Sequence, residues 1–484
     1  MASLNDVLAL GGVVDVATDS REVQPGWIFV AVRGSQFDGH RAIAKAVEAG
    51  AIAIVAEEPP DQVPGIPVAL VPDSRLAFAQ IVQTLLKNPA GSLRVFGVTG
   101  TNGKTTCATI LEQMFAAAGR NVGFVGTTGN RYAGASHATN YTTPHAHALA
   151  DLFIDMRQHD VDTVCMEVSS HALDQHRVWG VPFHGAMFTN LTRDHLDYHQ
   201  TMEKYAKAKK QLFDMLPEDA IAVLDADSEW TPYMKRHCKA KHLVTVGYGR
   251  DANVRIVDVD LSLHGATFTL KKTLSNIRLL PESVVCTTKL LGGFNVTNAA
   301  LCAVLCMLDG VPAQQVVQIL EHVAGPAGRM ERHALPSGAI AVVDYAHTPD
   351  ALSNALRVLR ELHADASSRP VIHVVFGCGG DRDRGKRPIM GSIAATLADR
   401  IWLTSDNPRS EDPAEIIRQI LVGIEGAARE RTVVIEDRRE AIRAALSAAG
   451  PNDVVLVAGK GHEEYQIIGL ERLPFSDAAE VKSY

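Results

Sequence analysis

Short apolar runs rich in β-branched residues alternate with Ala- and Leu-rich stretches along the whole chain. This alternation predicts α/β domains with parallel sheets, in which a helix follows each buried strand. The helical stretches include Leu76–Lys87, the segment from Lys104 to Gly119, and the apolar stretch Asn298–Leu308. The predicted strands are Trp27–Val32, Ala51–Ala56, Arg94–Thr99, Thr163–Glu167, Ala186–Asn190, Ile221–Leu224, His242–Gly247, Ile340–Asp344, Val371–Gly377, Arg400–Thr404, Thr432–Ile435 and Asp453–Ala458.

Two breaks rich in Gly and Pro, at residues 88–91 and 324–328, interrupt this pattern. Such clusters mark the ends of compact segments. At roughly 100–200 residues per domain, a chain of 484 residues has room for about three domains. We therefore predict domains at 1–89, 90–327 and 328–484, the middle one with a stretch of alternating β character over 254–290.

Composition narrows the class of protein. Hydrophobic residues make up 46% and charged residues 21%, which is typical of a globular chain. With 47 Lys and Arg against 55 Asp and Glu, the net charge of −8 argues against a nucleic-acid binder or a protein of anionic membrane surfaces. No apolar run approaches the ~18 residues of a membrane span, and residues 1–6 lack the features of a secretion signal.

The cysteines point to a reducing compartment. There are seven, an odd number, without a C-x-x-C pair, and most lie in apolar runs. Such residues are usually buried thiols, so we predict a cytoplasmic enzyme without disulfides or structural zinc.

A glycine-rich loop is the strongest chemical signal. Residues 97–106 read G-V-T-G-T-N-G-K-T-T, between the predicted strand Arg94–Thr99 and a helix. Glycines let backbone N–H groups turn toward phosphate oxygens, a Lys in this position reaches the β- and γ-phosphates, and the following Thr hydroxyl binds Mg²⁺. The strict P-loop pattern has Gly where Val98 stands, and an ordinary Gly-rich turn is the alternative. Other polar motifs also follow strand ends, the edge of a parallel sheet where ligands bind.

This loop and further motifs, in the same order along nearly the whole chain, resemble those of the Mur ligases, the ATP-dependent ligases of cell-wall precursor assembly. The motifs are D-S-R (19–21), T-T-P (142–144), E-V-S-S-H (167–171), N-L-T-R-D-H (190–195), A-K (208–209), N-V-T-N-A (295–299), G-R-M-E (328–331), D-Y-A-H-T-P (344–349), G-D-R-D-R (380–384), D-N-P-R (406–409) and G-K-G-H-E (459–463). One departure is Tyr141, where the family often has Asn.

The resemblance implies three α/β domains: a small N-terminal UDP-binding domain, a central P-loop ATPase with a parallel sheet, and a C-terminal Rossmann-like domain for an amino acid. It implies an amide ligase that adds meso-2,6-diaminopimelate to the γ-carboxylate of D-glutamate in UDP-N-acetylmuramoyl-L-alanyl-D-glutamate. The carboxylate would become an acyl phosphate, and ADP and phosphate would be released. A lysine-adding ligase, a folylpolyglutamate synthetase, an ATP-driven P-loop switch or motor, and a non-catalytic homologue remain as alternatives.

The resemblance also assigns the ATP and metal residues. Magnesium would be held by Thr105, Glu167, His195 and Lys209, the last as a carbamate formed with CO₂. By themselves, Glu167 could cap a helix, and Lys209 would be read as a solvated charge. His195 and His199 could suggest zinc, but no H-E-x-x-H pattern accompanies them. The nucleotide residues are Gly100, Thr101, Asn102, Gly103, Lys104, Thr105, Thr106, Asn298, Arg329 and Asp344, and the catalytic ones are Lys104, Glu167, His195 and Lys209.

Substrate residues are implied in all three domains. Arg409 would pair its planar guanidinium with the distal carboxylate of diaminopimelate, which lysine lacks. Taken without the family, D-N-P-R would equally suit a Pro turn with a surface Arg. The expected residues are Ser20, Ser35, Gln36 and Phe37 for uridine; Thr142, Thr143, Ser169, Gln175 and Arg177 for the sugar-peptide; and Arg382, Asp406, Asn407, Pro408, Arg409, Gly459 and Glu463 for the amino acid. We expect small-molecule substrates only, with no nucleic-acid or membrane partner, and a monomer.

Overall fold

The computed structural model describes residues 2–34, 37–62, 64–275, 277–362 and 370–484. The chain forms two compact units, 1–245 and 246–484. Both contain parallel sheets with packed helices, which confirms the predicted α/β class. The division falls inside a strand, and the boundaries predicted at 89 and 327 stay predictions.

The first unit holds two sheets. Its strands are β1 (Asp15–Ala17), β2 (Trp27–Val30), β3 (Ala53–Ala56), β4 (Val68–Leu70), β5 (Arg94–Thr99), β6 (Val122–Gly126), β7 (Gly129–Tyr132), β8 (Ala135–His137), β9 (Thr163–Glu167), β10 (Phe183–Phe188), β11 (Ile221–Asp225) and β12 (His242–Gly247), which crosses the division. Its helices are α1 (Leu4–Leu8), α2 (Ile43–Glu48), α3 (Ser74–Leu85), α4 (Lys104–Ala117), α5 (Ala146–Gln158), α6 (Ser170–Asp174), α7 (Leu196–His199), α8 (Met202–Asp214) and α9 (Thr231–Lys235).

The N-terminal sheet is parallel, with the order β1-β2-β3-β4. All of β3 is buried, because apolar clusters cover both faces of the sheet. Ile81 of α3 packs in one cluster and Ile43 of α2 in the other. This explains why the strands read as short apolar runs rather than as alternating patterns.

The second sheet of this unit places β5 between β9 and β10, both parallel to it. Strands β6 and β11 continue the parallel part, and β7 and β8 form an antiparallel meander at the edge beyond β6. Because β5, β9 and β10 run in the same direction, their carboxyl ends meet at one edge, where ligands bind in open α/β sheets.

The second unit begins with an antiparallel set of strands. Its elements are β13 (Val254–Ser262), β14 (Gly265–Lys272), β15 (Ser283–Thr288), β16 (Glu331–Ala334), β17 (Ile340–Asp344), β18 (Ile372–Phe376), β19 (Arg400–Leu403), β20 (Thr432–Val434), β21 (Val454–Ala458), β22 (Tyr465–Ile468) and β23 (Glu471–Pro474), with α10 (Gly293–Leu308), α11 (Ala313–Leu320), α12 (Pro349–Glu361), α13 (Lys386–Leu397), α14 (Pro413–Leu421), α15 (Ala427–Glu430), α16 (Arg438–Ala448) and α17 (Asp477–Ser483). The alternating stretch over 254–290 corresponds to β13, β14 and β15, which pair antiparallel.

The last large sheet has the order β16-β17-β21-β18-β19-β20, parallel except for β16. Alternate residues of β17 enter different apolar clusters: Ile340 packs with Leu356 of α12 on one face, and Ala341 with Ile442 of α16 on the other. Helices on both faces of a parallel sheet produce a doubly wound architecture, which agrees with the Rossmann-like domain that the family resemblance implied.

Every predicted strand overlaps an observed one. The prediction Ala186–Asn190 was misplaced, because the strand β10 is Phe183–Phe188 and Thr189 and Asn190 instead bond to the glycine-rich loop. Among the described residues, none of the helices combines the length and apolar character needed to cross a bilayer.

Candidate functional site

The glycine-rich loop joins β5 to α4, which begins at Lys104. Gly100 and Gly103 have φ of 156° and 83°, and a side chain on Gly100 would collide with Thr189. Gly103 is the N-cap residue of α4 and has no side chain, so no side-chain cap bonds to the backbone N–H groups in the first turn of the helix. Positive φ and a bare helix N-terminus are what a phosphate cradle requires.

The end of β10 fixes the shape of this loop. Asn102 N–H donates to Asn190 Oδ1 at 3.0 Å, and Thr101 N–H donates to the Asn190 carbonyl at 2.9 Å. Thr189 Oγ1 donates to the Asn102 carbonyl at 2.5 Å. The motif at 190–195 therefore supports the loop, a function that its sequence alone did not indicate.

Glu167 ends β9 with a fully buried carboxylate beside the loop. It accepts from Thr105 Oγ1 at 2.8 Å and from Thr127 N–H at 2.7 Å. Gly126 allows this approach, because a Cβ there would collide with the carboxylate. Glu167 does not cap a helix; a hydroxyl and a carboxylate side by side next to a phosphate cradle are oxygen donors that suit Mg²⁺.

Lys209 lies on α8 and is 1% exposed. Its ammonium donates to the Gly100 carbonyl at 2.7 Å and lies 4.6 Å from the centre of the Tyr205 ring. Burial and the Lys104 cation hold the pKa of Lys209 well below its usual value, against the opposing effect of Asp194. The reading of Lys209 as a solvated charge is therefore wrong, and a buried amine that readily loses its proton fits the chemistry of carbamate formation.

His195 lies in an aromatic cluster next to this lysine. It has φ of 52°, an exposed side chain, and ring centres 5.0 Å from His171 and 6.0 Å from Tyr205. His199 is buried with Nε2 2.9 Å from Ser170 Oγ, and burial lowers the pKa of His199 to about 4. In the described residues, His, Cys, Asp and Glu side chains do not gather in threes as a preformed metal site. The Mg²⁺ ligand set thus stays a prediction.

The residues expected to meet the sugar-peptide form one hydrogen-bonded network. Thr143 Oγ1 donates to the Glu167 carbonyl at 2.9 Å and accepts from Ser169 N–H at 3.1 Å. Arg177 donates to the Thr143 carbonyl at 3.0 Å and to Gln175 Oε1 at 2.7 Å. The network connects the predicted substrate residues to Glu167, and Thr142 joins it through the Thr127 hydroxyl.

Tyr141 packs against this network. Its ring centre lies 5.1 Å from the Arg177 guanidinium carbon, and its side chain is 49% exposed. A face-on guanidinium and aromatic ring attract each other. The residue that departs from the family pattern therefore contacts the arginine expected to bind substrate.

The uridine residues are only partly placed. Ser20 lies in a turn after β1, and Phe37 is 60% exposed. Ser35 and Gln36 lie outside the described residues. The uridine assignment therefore stays a prediction.

In the second unit, Arg329 and Asp344 lie together. The Arg329 guanidinium carbon is 5.1 Å from the centre of the Tyr345 ring, and Asp344 Oδ2 accepts from Met330 N–H at 2.7 Å. Burial raises the pKa of Asp344, and Arg329 opposes this shift. Asn298 is separate, buried inside α10 with its amide donating to Asn295 Oδ1 at 3.1 Å.

The D-N-P-R segment follows β19 and meets the end of β21. Arg409 has φ of 52°; its N–H donates to the Ile467 carbonyl at 3.1 Å, and its carbonyl accepts from Gly469 N–H at 2.8 Å. The hairpin β22–β23 therefore holds the Arg409 backbone on both sides. The guanidinium donates to the Gly380 carbonyl at 2.8 Å.

The remaining predicted amino-acid residues surround this segment. A Cβ on Gly379 would lie 3.0 Å from Arg409 Nη1 and 3.7 Å from Arg382 Cγ, so the two arginines flank the same glycine. Asn407 Nδ2 donates to Glu463 Oε2 at 3.2 Å. Three further residues of this predicted set are also buried: Asp406, Pro408 and Gly459.

Lys460 is a site residue that the sequence reasoning missed, although it stands inside the quoted motif G-K-G-H-E. A lysine between glycines is usually solvated, but this one is fully buried and lies 3.2 Å from Asp406 Oδ1. The burial of Lys460 could have been predicted from its position, because the G-K-G-H-E motif directly follows the apolar strand β21 and its first residues stay buried.

Family descriptions match most of the chain. "Mur ligase family, catalytic domain" matches residues 13–84, "Mur ligase middle domain" matches 98–306, and "Mur ligase, glutamate ligase domain" matches 328–461. The UDP-N-acetylmuramoyl-L-alanyl-D-glutamate–2,6-diaminopimelate ligase of Geobacillus thermodenitrificans is 42% identical over 96% of this chain and 94% of its own length.

Solved structures agree in fold. A structure of a UDP-N-acetylmuramoyl-L-alanyl-D-glutamate–2,6-diaminopimelate ligase is similar with a TM-score of 0.76 and 34% identity, over 97% of this chain and 94% of that one. Mycobacterium tuberculosis folylpolyglutamate synthase, solved with ADP, has a TM-score of 0.56 and 18% identity, over 79% of this chain and 91% of its own. The second likeness is one of fold alone.

Proposed function

Because this chain belongs to the Mur ligase family, we propose that it is an ATP-dependent ligase that adds meso-2,6-diaminopimelate to UDP-N-acetylmuramoyl-L-alanyl-D-glutamate. The new amide would join the γ-carboxylate of D-glutamate to an amino group of diaminopimelate, in peptidoglycan precursor synthesis. The proposal rests mainly on the near full-length similarity to ligases with this name, at 42% identity for one of them.

Amide formation from a carboxylate requires a good leaving group. The γ-carboxylate attacks the γ-phosphorus of ATP, which gives an acyl phosphate and ADP. The amine then attacks the acyl carbon, loses a proton, and expels inorganic phosphate. The first step brings two anions together, so it requires cations and an in-line arrangement.

Lys104 and the loop from Gly100 to Thr106 would hold the ATP phosphates. The bare N-terminus of α4 and the Lys104 ammonium, which contacts the loop carbonyls of Gly100 and Thr101, support this assignment. Asn298 and Arg329 would contact the nucleotide, and Asp344 its ribose. Magnesium, held by Thr105 and Glu167 and at a second position by His195 and carbamylated Lys209, would neutralise the phosphate charge.

The network that links Thr142, Thr143 and Ser169 to Gln175 and Arg177 would bind the sugar-peptide. Arg177 can offer a guanidinium to a phosphate or carboxylate there. Ser20, Ser35, Gln36 and Phe37 are proposed for uridine. The hydrogen bond from Thr143 to the Glu167 carbonyl supports a position for the dipeptide beside Glu167, because the acceptor carboxylate must lie next to the metal and the γ-phosphate.

The amino acid would occupy the pocket at the ends of β19 and β21. Arg409 would pair with the distal carboxylate and Arg382 with the other one, while Asp406, Asn407, Gly459 and Glu463 would receive the far amino group. The clamped Arg409 backbone, in a conformation that arginine rarely adopts, supports a dedicated use of this side chain. A lysine substrate would instead bring its ammonium to the guanidinium.

The deciding experiment measures phosphate release by the full chain with ATP, Mg²⁺ and UDP-N-acetylmuramoyl-L-alanyl-D-glutamate, plus diaminopimelate or lysine. We expect turnover and a tripeptide product with diaminopimelate and little with lysine. Turnover with lysine instead would favour the lysine-adding alternative. ATP hydrolysis that needs neither amino acid would contradict ligation and favour a switch or motor.

We further propose that the enzyme acts as a cytoplasmic monomer. The need for ATP as a substrate supports the cytoplasm. The six buried free cysteines support a reducing compartment. Light scattering of the purified chain at several concentrations tests the monomer, since a mass near 52.1 kDa is expected throughout.

A further inference from the structure

The side chain of Lys460 is completely buried, yet its ammonium is surrounded by polar groups of the amino-acid pocket. It donates to Asn407 Oδ1 at 2.9 Å and to the Tyr465 carbonyl at 2.8 Å, and it lies 3.2 Å from Asp406 Oδ1. An ammonium has three N–H donors, and each has an acceptor nearby. Two hydrogen bonds and one close ion pair within the protein therefore hold the Lys460 ammonium.

These contacts decide how the Asn407 amide is oriented. Its Oδ1 accepts both from Lys460 and from Ile467 N–H, the latter at 2.9 Å. With two donors on the oxygen, the NH₂ group must point the other way, and it donates to Glu463 Oε2 at 3.2 Å. One buried cation thus sets the direction of an amide and, through it, the position of a carboxylate.

Lys460 also balances charge. Asp406 is 7% exposed and Glu463 lies close by, with its Oε2 4.0 Å from Lys460 Nζ. Two carboxylates in a partly buried pocket repel each other unless a cation lies between them. A cation that is itself buried leaves their outer faces available to a ligand.

We propose that Lys460 is a positioning residue of the amino-acid site: it holds Asn407, Asp406 and Glu463 in the arrangement that receives the amino-acid substrate. Lys460 does not itself touch the substrate, because its side chain has no exposed surface. The inference rests on the proposed function, which assigns this pocket to the amino acid.

The test compares Lys460→Met with wild type in steady-state kinetics, varying each substrate separately. We expect the KM for diaminopimelate to rise at least tenfold, the KM values for ATP and the UDP substrate to stay within twofold, and kcat at saturating diaminopimelate to fall far less than kcat/KM. Lys272→Met is the matched control. Lys272 is another lysine with a largely buried side chain, 7% exposed, whose ammonium contacts Glu282 at 2.8 Å and the Leu280 carbonyl at 3.1 Å away from this pocket.

A folded Lys460→Met enzyme with an unchanged KM for diaminopimelate would overturn the inference, and so would equal changes in all KM values. If Lys460→Met does not fold, Lys460→Arg decides: it keeps the cation but moves the donors, so we expect a KM raised at least threefold, and a wild-type KM would overturn the proposal. A wild type that does not use diaminopimelate would contradict the proposed function instead.

Discussion

At the scale of residues, two lysines share one backbone acceptor. The Gly100 carbonyl accepts from Lys104 at 2.9 Å and from Lys209 at 2.7 Å. Two ammonium groups so close together repel each other, and burial makes the repulsion stronger. The arrangement becomes favourable when a polyanion binds the loop, or when one amine loses its charge.

Lys104→Ala should abolish ligation, because the γ-phosphate would lose its local cation. Removal of one electrostatic donor of this kind costs roughly 3 kcal/mol or more of transition-state stabilisation, a rate loss of at least about a hundredfold. Phosphate release under saturating substrates measures it, with Lys235→Ala on the exposed end of α9 as the control. Near-normal turnover would contradict the ATP-site assignment.

Lys209→Ala should be nearly inactive and be partly restored by added short-chain carboxylic acids, which can replace the carboxylate of a carbamate. The lowered pKa of Lys209 supplies the neutral amine that reacts with CO₂. Lys207→Ala, an exposed lysine on the same helix, is the control and should keep full activity. An active Lys209→Ala enzyme would contradict carbamylation of Lys209, and so would a crystal structure of the active enzyme in which the Lys209 amine is unmodified.

Arg409→Ala should raise the KM for diaminopimelate at least tenfold, while the KM values for ATP and the UDP substrate change little. A buried charge pair broken on one side costs about 2–5 kcal/mol, and 1.4 kcal/mol is a factor of about ten. Arg418→Ala, on the exposed face of α14, serves as the control. A diaminopimelate KM that does not change would leave the ligase assignment intact but remove the basis for its specificity.

At the scale of elements, the strands that are buried throughout were predicted from the sequence, whereas β6, which is buried at all but its first position, and several exposed strands were missed. Strands such as β9 and β21 are buried throughout, so they appear as continuous apolar runs. Strands β8 and β23 are exposed at every position and carry no apolar period, which is why neither was predicted. The hairpin that holds Arg409 was therefore outside the reach of pattern reasoning.

The candidate site divides in the same way. The glycine-rich loop was predictable from local chemistry, since glycine spacing, Lys104 and Thr105 are adjacent in the chain. Lys209 is buried against Gly100, 109 residues earlier in the chain, and Lys460 against Asn407, 53 residues earlier. A local sequence pattern does not encode such long-range contacts. Only the family resemblance pointed to Lys209.

A buried ion pair joins α16 to α17. Arg438 donates to Asp477 through Nε and Nη2, each at 2.7 Å, and both side chains are completely buried. Arg438→Met should lower the free energy of unfolding by about 3–5 kcal/mol, because Asp477 would remain as an uncompensated buried charge. Urea unfolding measures it.

The neighbouring Arg439→Met is the control for that variant. Arg439 pairs with Glu480 but is 51% exposed, and exposed ion pairs contribute about 0–1 kcal/mol. Equal losses of stability in the two variants would show that burial of the pair does not matter. Arg438 also donates to the Ala458 carbonyl at 3.0 Å, next to Gly459, so a raised KM for the amino acid should accompany the loss.

At the scale of the whole molecule, the thiols report on compactness. Six of the seven cysteines are buried, and only Cys238 is partly accessible. Burial raises the pKa of Cys238 as well, which slows its reaction because the thiolate is the reactive form. A chromogenic disulfide reagent should therefore release at most one equivalent of chromophore rapidly from the native chain. Fast release of several equivalents would show that the apolar clusters open readily.

The collision between a Gly100 side chain and Thr189 has a consequence for inhibitors that bind the glycine-rich loop. Any single-nucleotide change in a glycine codon that alters the protein sequence produces either a stop or a residue with a Cβ, and that Cβ would meet Thr189 on a backbone with φ of 156°. An inhibitor that bound mainly to the Gly100 main chain would thus meet almost no resistance mutation at that position.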